Sequence, residues 1–176
     1  LDAFALFMTL KKHFSGKSHF QWPVPYRNSK SDACQKFSQS HRQEIAYHQF
    51  LQFVAFEQWG QLKQYLVQKE ISVIGDLPIF VAADSADVWA SPSLFQTDSQ
   101  GNLSNVAGVP PDYFSKTGQL WGNPLYDWEK MKDDEYSWWK KRFAQTLRWV
   151  DCVRLDHFRG FVQYWSVPAD ATTAIH

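Results

Sequence analysis

The chain has 176 residues with 18 basic and 18 acidic side chains, so no net charge draws it to nucleic acid or to a membrane surface. Its length suits one ordinary domain with a sizeable core, and no apolar run reaches membrane-spanning length. Nine tryptophans and an aromatic share of 17% leave two uses open, rings that fill a core or exposed rings that serve as platforms beneath sugar faces.

In chain order, Phe4-Ala5-Leu6-Phe7-Met8 opens a short apolar helix that ends near Gly16, ahead of a loop holding Trp22-Pro23-Val24-Pro25. From about Asp32 to Lys69 the pattern is helical, with Tyr47, Phe50, Leu51 and Val54, then Trp59, Leu62 and Leu66, recurring at helical spacing. Gly60 either divides this stretch or weakens it. His41, Glu44 and His48 lie on the same stretch without HExxH spacing, which suits a solvated face better than a metal site. Ile71-Ser72-Val73-Ile74 reads as a buried strand closed by Gly75-Asp76.

Residues from about 81 to 134 form a long irregular stretch rich in Gly, Pro, Asn, Asp and Ser, and such loops are either functional or disordered. Trp89, Phe95, Tyr113, Phe114, Trp121, Tyr126 and Trp128 argue against disorder. Asp133 or Asp134 then caps a helix whose apolar face is Tyr136, Trp139, Phe143, Leu147 and Val150. That helix feeds a strand beginning near Val153. Strand, loop, helix and strand make a βαβ unit, hence a parallel sheet. Cys34 and Cys152 show no metal or redox spacing; Cys152 is expected to be a buried free thiol, and the pair fits a reducing, cytoplasmic setting. With Leu1 opening inside an apolar stretch and no closing element before His176, the chain reads as an internal piece of a longer protein.

The chemistry concentrates in Val153-Arg154-Leu155-Asp156-His157-Phe158-Arg159-Gly160-Phe161. In a strand, residues two apart leave the same face, so Arg154 and Asp156 point one way and Val153 and Leu155 the other. A guanidinium about 6–7 Å along the strand favours the ionised carboxylate. Two readings fit: an anion prepared for nucleophilic attack on a sugar carbon, or a structural ion pair beside a turn. Asp76 and Asp156 both close predicted parallel strands, the edge at which ligands gather in α/β folds.

Five blocks in order carry a resemblance to a known family: Gly75-Asp76-Leu77-Pro78-Ile79-Phe80-Val81-Ala82, Asp84-Ser85-Ala86-Asp87-Val88-Trp89, Gly108 to Ser115, Gly118 to Tyr126, and Arg154 to Phe161. They resemble the amylomaltases, the 4-α-glucanotransferases of glycoside hydrolase family 77, relatives of the α-amylases. The resemblance is dense from about Asp32 to Ala174. It implies an α/β fold that is part of a (β/α)8 TIM barrel with a helical insertion. Residues 1–69 would form the insertion, and 70–176 part of the barrel with a substrate-covering loop at about 105–127.

By the same resemblance Asp156 matches the catalytic nucleophile, Arg154 its charge partner and Asp76 an active-site aspartate of the wider clan. Asp112, Tyr113 and Phe114 match the tip of a loop that covers glucan; Trp121 and Asn123 match the lining of the groove. His157 either contacts sugar or is a satisfied strand-end histidine. Tyr113, Phe114 and Trp121 can stack on the C–H faces of glucose, and Asp112 and Asn123 can bond its hydroxyls; an aromatic mini-core is the other reading of these rings. The implied partners are α-1,4-glucans and maltooligosaccharides, with no cofactor, no metal, no nucleic acid and no membrane; the oligomeric state is left open.

Retaining glycoside chemistry needs a nucleophile and an acid/base carboxyl about 5–5.5 Å apart. The five glutamates, Glu44, Glu57, Glu70, Glu129 and Glu135, lie in or beside predicted helices. The resemblance implies an acid/base glutamate beyond His176, so this piece alone is expected to be inactive. An amylase-type hydrolase and a non-catalytic glucan-binding module remain as alternatives.

Overall fold

A computed structural model of the chain describes residues 1–98 and 100–175. These form two compact units, Leu1–Ser72 with Asp84–Ala90, and Val73–Ala83 with Ser91–His176.

The first unit is helical. Helix α1 (Asp2–His13) buries Ala5, Phe7 and Leu10 and carries Asp2 in its first turn and Lys11, Lys12 and His13 in its last, matching charge to the helix dipole. It ends where Gly16, at φ +78, donates its N–H to the Lys11 carbonyl at 2.7 Å. Helices α2 (Val24–Arg27) and α3 (Asp32–Ser40) follow, the latter capped by Ser31, whose hydroxyl accepts from the Cys34 N–H at 3.1 Å. The long helix α4 (Arg42–Gln68) runs unbroken through Gly60. The helical stretch divides at His41 instead, where the imidazole stacks on Phe37 with ring centres 3.8 Å apart. Short helix α5 (Ala86–Ala90) contributes Trp89 to a core with Phe7, Leu10, Trp22, Cys34 and Phe37.

The second unit holds the sheets. Strands β1 (Ile74–Leu77) and β4 (Cys152–Leu155) pair in parallel, Asp76 beside Arg154 and Leu77 beside Leu155. This is the parallel pairing expected of the βαβ order, and the described residues show these two strands rather than a closed barrel. The first strand starts at Ile74 and not at Ile71. Glu70, at φ 57, closes α4 while the Ile71 N–H reaches the Leu66 carbonyl at 3.0 Å, so residues 71–73 turn the chain into the sheet. Gly75 has to lack a side chain there, since an added Cβ would stand 2.7 Å from Cγ1 of Val150. Cys152 is exposed, against the expectation of a buried thiol, because β4 pairs only with β1 among the described residues.

The stretch expected to be irregular contains order. Strands β2 (Asn105–Val109), β3 (Gln119–Pro124) and β5 (Trp165–Pro168) form an antiparallel sheet in the order β3-β2-β5 around Val106, Val167 and Ala174. The loop proper is therefore Pro110 to Gly118. The helix expected after Asp133 or Asp134 is α7 (Ser137–Thr146), and a short helix, α6 (Trp128–Asp133), ends the stretch expected to be irregular. They part at Glu135 and Tyr136, which both take positive φ; Tyr136 is the N-cap of the second without a side-chain bond, and Asp134, two residues earlier, accepts from the Ser137 N–H at 3.1 Å. Phe95, Tyr126, Trp128, Trp138, Trp139 and Phe161 pack as one aromatic cluster. Among the described residues no helix is long and apolar enough to cross a membrane.

Candidate active site

Neighbouring residues on adjacent parallel strands present their side chains to the same face. The register of β1 against β4 therefore brings Asp76 and Arg154 together across 78 positions of sequence. Nε and Nη2 of Arg154 donate to the two carboxylate oxygens of Asp76, each at 2.6 Å, a two-pronged charge-assisted pair. This hydrogen bonding and the guanidinium charge hold the Asp76 carboxyl below the usual carboxylate range. Reciprocally, Asp76 holds Arg154 protonated, and the charge of Asp156 adds to that field.

Asp156 is the first residue past β4 and is exposed. The hydrogen bonds of Arg154 thus go to Asp76, while Asp156 acts on Arg154 through charge. The chain turns sharply after Asp156, with His157 at φ 51, and a 3₁₀ turn covers Phe158–Phe161. Gly160 makes the turn possible: a Cβ there would stand 2.7 Å from Cδ1 of Ile79 and 2.9 Å from Cδ2 of His157. The His157 ring lies edge-on to Trp121, centres 5.0 Å apart, and Phe80 sits behind both at 6.4 and 6.3 Å. Trp121 keeps 38% of its surface exposed, and its indole N–H donates to Oε1 of Gln119 at 3.1 Å.

Asn123, on the same strand as Trp121, donates its side-chain amide to the Val81 carbonyl at 2.8 Å. It is tied to the segment after β1, an engagement its sequence position did not announce. At the loop between β2 and β3, Oδ1 of Asp112 accepts from the N–H groups of Phe114 and Ser115 at 2.9 and 2.8 Å, which fixes the tip as an Asx turn. Tyr113 and Phe114 stand out 97% and 90% exposed, so these two rings are not part of a packed mini-core.

The structure thus groups Asp76, Arg154, His157 and Trp121 around the ends of β1 and β4, next to Asp156 in the chain, and sets Asp112, Tyr113 and Phe114 on a separate exposed loop of the same unit. Three residues absent from the expected set have a part in it. Phe80 backs the aromatic wall, Arg142 donates to the carbonyls of Pro78 and Ile79, and the Tyr126 hydroxyl donates to the Ile79 carbonyl. Phe80 lies inside one of the five recognised blocks; Arg142 carried no signal beyond its place among tryptophans on a helix.

Comparison with known proteins shows the family to which the chain belongs. The 4-alpha-glucanotransferase family, glycoside hydrolase family 77, matches residues 1–176. The chain is 49% identical over 175 residues to the 4-alpha-glucanotransferase of Synechocystis sp., covering 99% of this chain and 35% of that protein. It is 46% identical over 175 residues to the 4-alpha-glucanotransferase of Thermus thermophilus, again 99% of this chain and 35% of the relative. Among solved structures, the amylomaltase from Streptococcus agalactiae in complex with acarbose superposes with a TM-score of 0.94 at 40% identity, over 98% of this chain and 35% of that one. The chain spans about a third of the length of these relatives. It belongs to the 4-alpha-glucanotransferase family, glycoside hydrolase family 77.

Proposed function

We propose that the protein carrying this chain is a 4-α-glucanotransferase that moves α-1,4-glucan segments between maltooligosaccharides by a retaining double displacement on Asp156. The observation that carries the reading is the forked Arg154–Asp76 pair at the ends of two adjacent parallel strands, with the exposed Asp156 carboxylate directly after it. In the first step an Asp156 oxygen bonds to the anomeric carbon as that carbon's bond to the leaving 4-oxygen breaks. A proton from an acid/base carboxyl goes to the departing glucan. In the second step the 4-hydroxyl of an acceptor glucan attacks the same carbon, gives its proton to that carboxyl's base form and releases Asp156.

Arg154 keeps positive charge beside the nucleophile, and Asp76 fixes the guanidinium in place. Trp121, Tyr113 and Phe114 offer ring faces to the C–H faces of glucose; Asp112, Asn123 and His157 offer polar atoms to its hydroxyls. An aromatic loop at Pro110 to Gly118 closing over the glucan suits a transferase, since excluding water favours the sugar acceptor. None of the five glutamates closes a strand: Glu44 and Glu57 lie on α4, Glu70 just after it, Glu129 on α6 and Glu135 beyond α6. That agrees with what the family resemblance implies, a proton donor in another part of the full-length protein.

In the same reading β1 and β4 are two strands of a (β/α)8 barrel, residues 1–69 are a helical insertion, and 70–176 are barrel with its covering loop. A cytoplasmic setting belongs to it as well. The test is incubation of the full-length protein with maltotriose. Transfer gives a ladder of longer and shorter products, whereas hydrolysis gives only shorter ones. Asp156→Asn is expected to lower kcat at least about a thousandfold; full activity in that variant would remove Asp156 as the nucleophile and leave this segment a glucan-binding role at most.

A further inference from the structure

The segment that follows Asp76 is held from outside by side chains with no assigned part in the chemistry. Arg142 on α7 donates from Nη1 to the Ile79 carbonyl at 3.2 Å and from Nη2 to the Pro78 carbonyl at 2.7 Å. The Tyr126 hydroxyl donates to the same Ile79 carbonyl at 2.5 Å and accepts from Nη1 of Arg142 at 3.3 Å. The guanidinium is itself fixed, lying 5.2 Å from the ring centre of Trp138 and 4.9 Å from that of Trp139. The residue next to the clamped carbonyl is Phe80. Its ring stacks on Tyr126 with centres 6.1 Å apart and supports both Trp121 and His157.

We propose that Arg142 and Tyr126 are positioning residues for glucan binding: they clamp the Pro78–Ile79 backbone so that Phe80 holds Trp121 and His157 in the shape of the sugar groove. Two charge-assisted bonds and one short hydroxyl bond converge on two consecutive carbonyls, more restraint than a loop needs merely to stay folded. The restraint is passed on by ring packing, since a shift of Ile79 carries Phe80 with it, and Phe80 is the neighbour shared by both groove rings. Glucan affinity should therefore depend on atoms that never touch glucan. The inference rests on the glucanotransferase reading.

The test uses the full-length protein, with kcat and KM for maltotriose measured for Tyr126→Phe, Arg142→Lys and Phe80→Leu, and for Tyr126→Phe combined with Phe80→Leu. Tyr126→Phe removes one oxygen and keeps the ring, so it carries the test by itself if Arg142→Lys does not fold. KM is expected to rise about three- to tenfold in Tyr126→Phe with kcat within about twofold. That rise is expected to vanish when Phe80 is already Leu, since both changes act on one path. An unchanged KM with only a lowered melting temperature would overturn the proposal and leave the clamp a purely structural feature. A full-sized KM effect persisting in the Phe80→Leu background would overturn it as well. The wild-type protein in the same assay separates the two levels: hydrolysis without a ladder there removes the glucanotransferase reading, whatever the clamp variants do, and retained transfer in Asp156→Asn removes only the assignment of the nucleophile.

Discussion

Arg154 meets two carboxylates in different ways, and the difference follows from where each one sits. Asp76 is beside it in the sheet register and takes both hydrogen bonds; Asp156 is past the strand end and acts on it through charge. The consequence for pH is definite in sign. The Asp76 carboxyl is depressed by Arg154, so the pair contributes in full above the unfolded carboxylate range of about 3.9 and is lost as pH falls through the lower folded value. Carboxyl-carbon NMR should give Asp76 a midpoint below that range, and Arg154→Gln should move the midpoint up towards about 3.9. An Asp76 midpoint indifferent to residue 154 would break the account. Asp156, Arg154 and His157 were legible in the sequence because they are neighbours in it. The partner of Arg154 was not, since a contact across 78 positions is fixed by strand register, which no local pattern specifies. Asn123 shows the same limit: its place in one of the five blocks was readable, its bond to the Val81 carbonyl was not.

Elements were legible where period and caps agreed. The apolar run of α1 and the aspartates at 133 and 134 ahead of α7 identified those helices, although neither aspartate is the N-cap of α7, and the β-branched run near residue 73 located β1 to within three residues. The antiparallel sheet was hidden because Gly108, Gly118, Gly122, Pro110 and Pro111 are also what a structureless loop would contain. Two glycines now separate by conformation. Gly118 stands at φ +69, and a Cβ there would overlap the Val109 carbonyl oxygen across the hairpin, while Gly60 inside α4 has open space where a Cβ would go. In denaturant unfolding of the full-length protein, Gly118→Ala is expected to lose about 1–3 kcal/mol from the strained backbone. Gly60→Ala is expected to gain about 0.5–1 kcal/mol through helix propensity. Equal effects at the two sites would mean that the β2–β3 turn does not depend on its left-handed glycine.

At the scale of the whole molecule, the 176 residues carry more apolar surface than their own contacts cover. Helix α4 has no buried residue among its 27 and exposes Tyr47, Phe50 and Phe53 at 58%, 59% and 58%. In the other unit Ile74 is 69% exposed on a sheet that, among the described residues, has two strands and hence two edges. Relatives three times as long supply a reason, because about two-thirds of their length lies outside the matched segment and is available to cover such faces. The 176-residue chain prepared by itself should therefore bind a hydrophobic dye such as ANS and associate in solution. It should also produce no maltotriose ladder, since the described residues place a candidate nucleophile at a strand end and no glutamate at any strand end. The two outcomes have separate causes and are separable by experiment. If the chain is co-expressed with the rest of the full-length polypeptide, covering the apolar faces should abolish dye binding, and supplying the proton donor should restore transfer. Replacing Asp156 by Asn in the reassembled pair should leave the first recovery intact and cancel the second. Transfer by the isolated chain would instead require a proton donor among its own helix-borne glutamates, and would sink the assignment of the acid/base to another part of the protein.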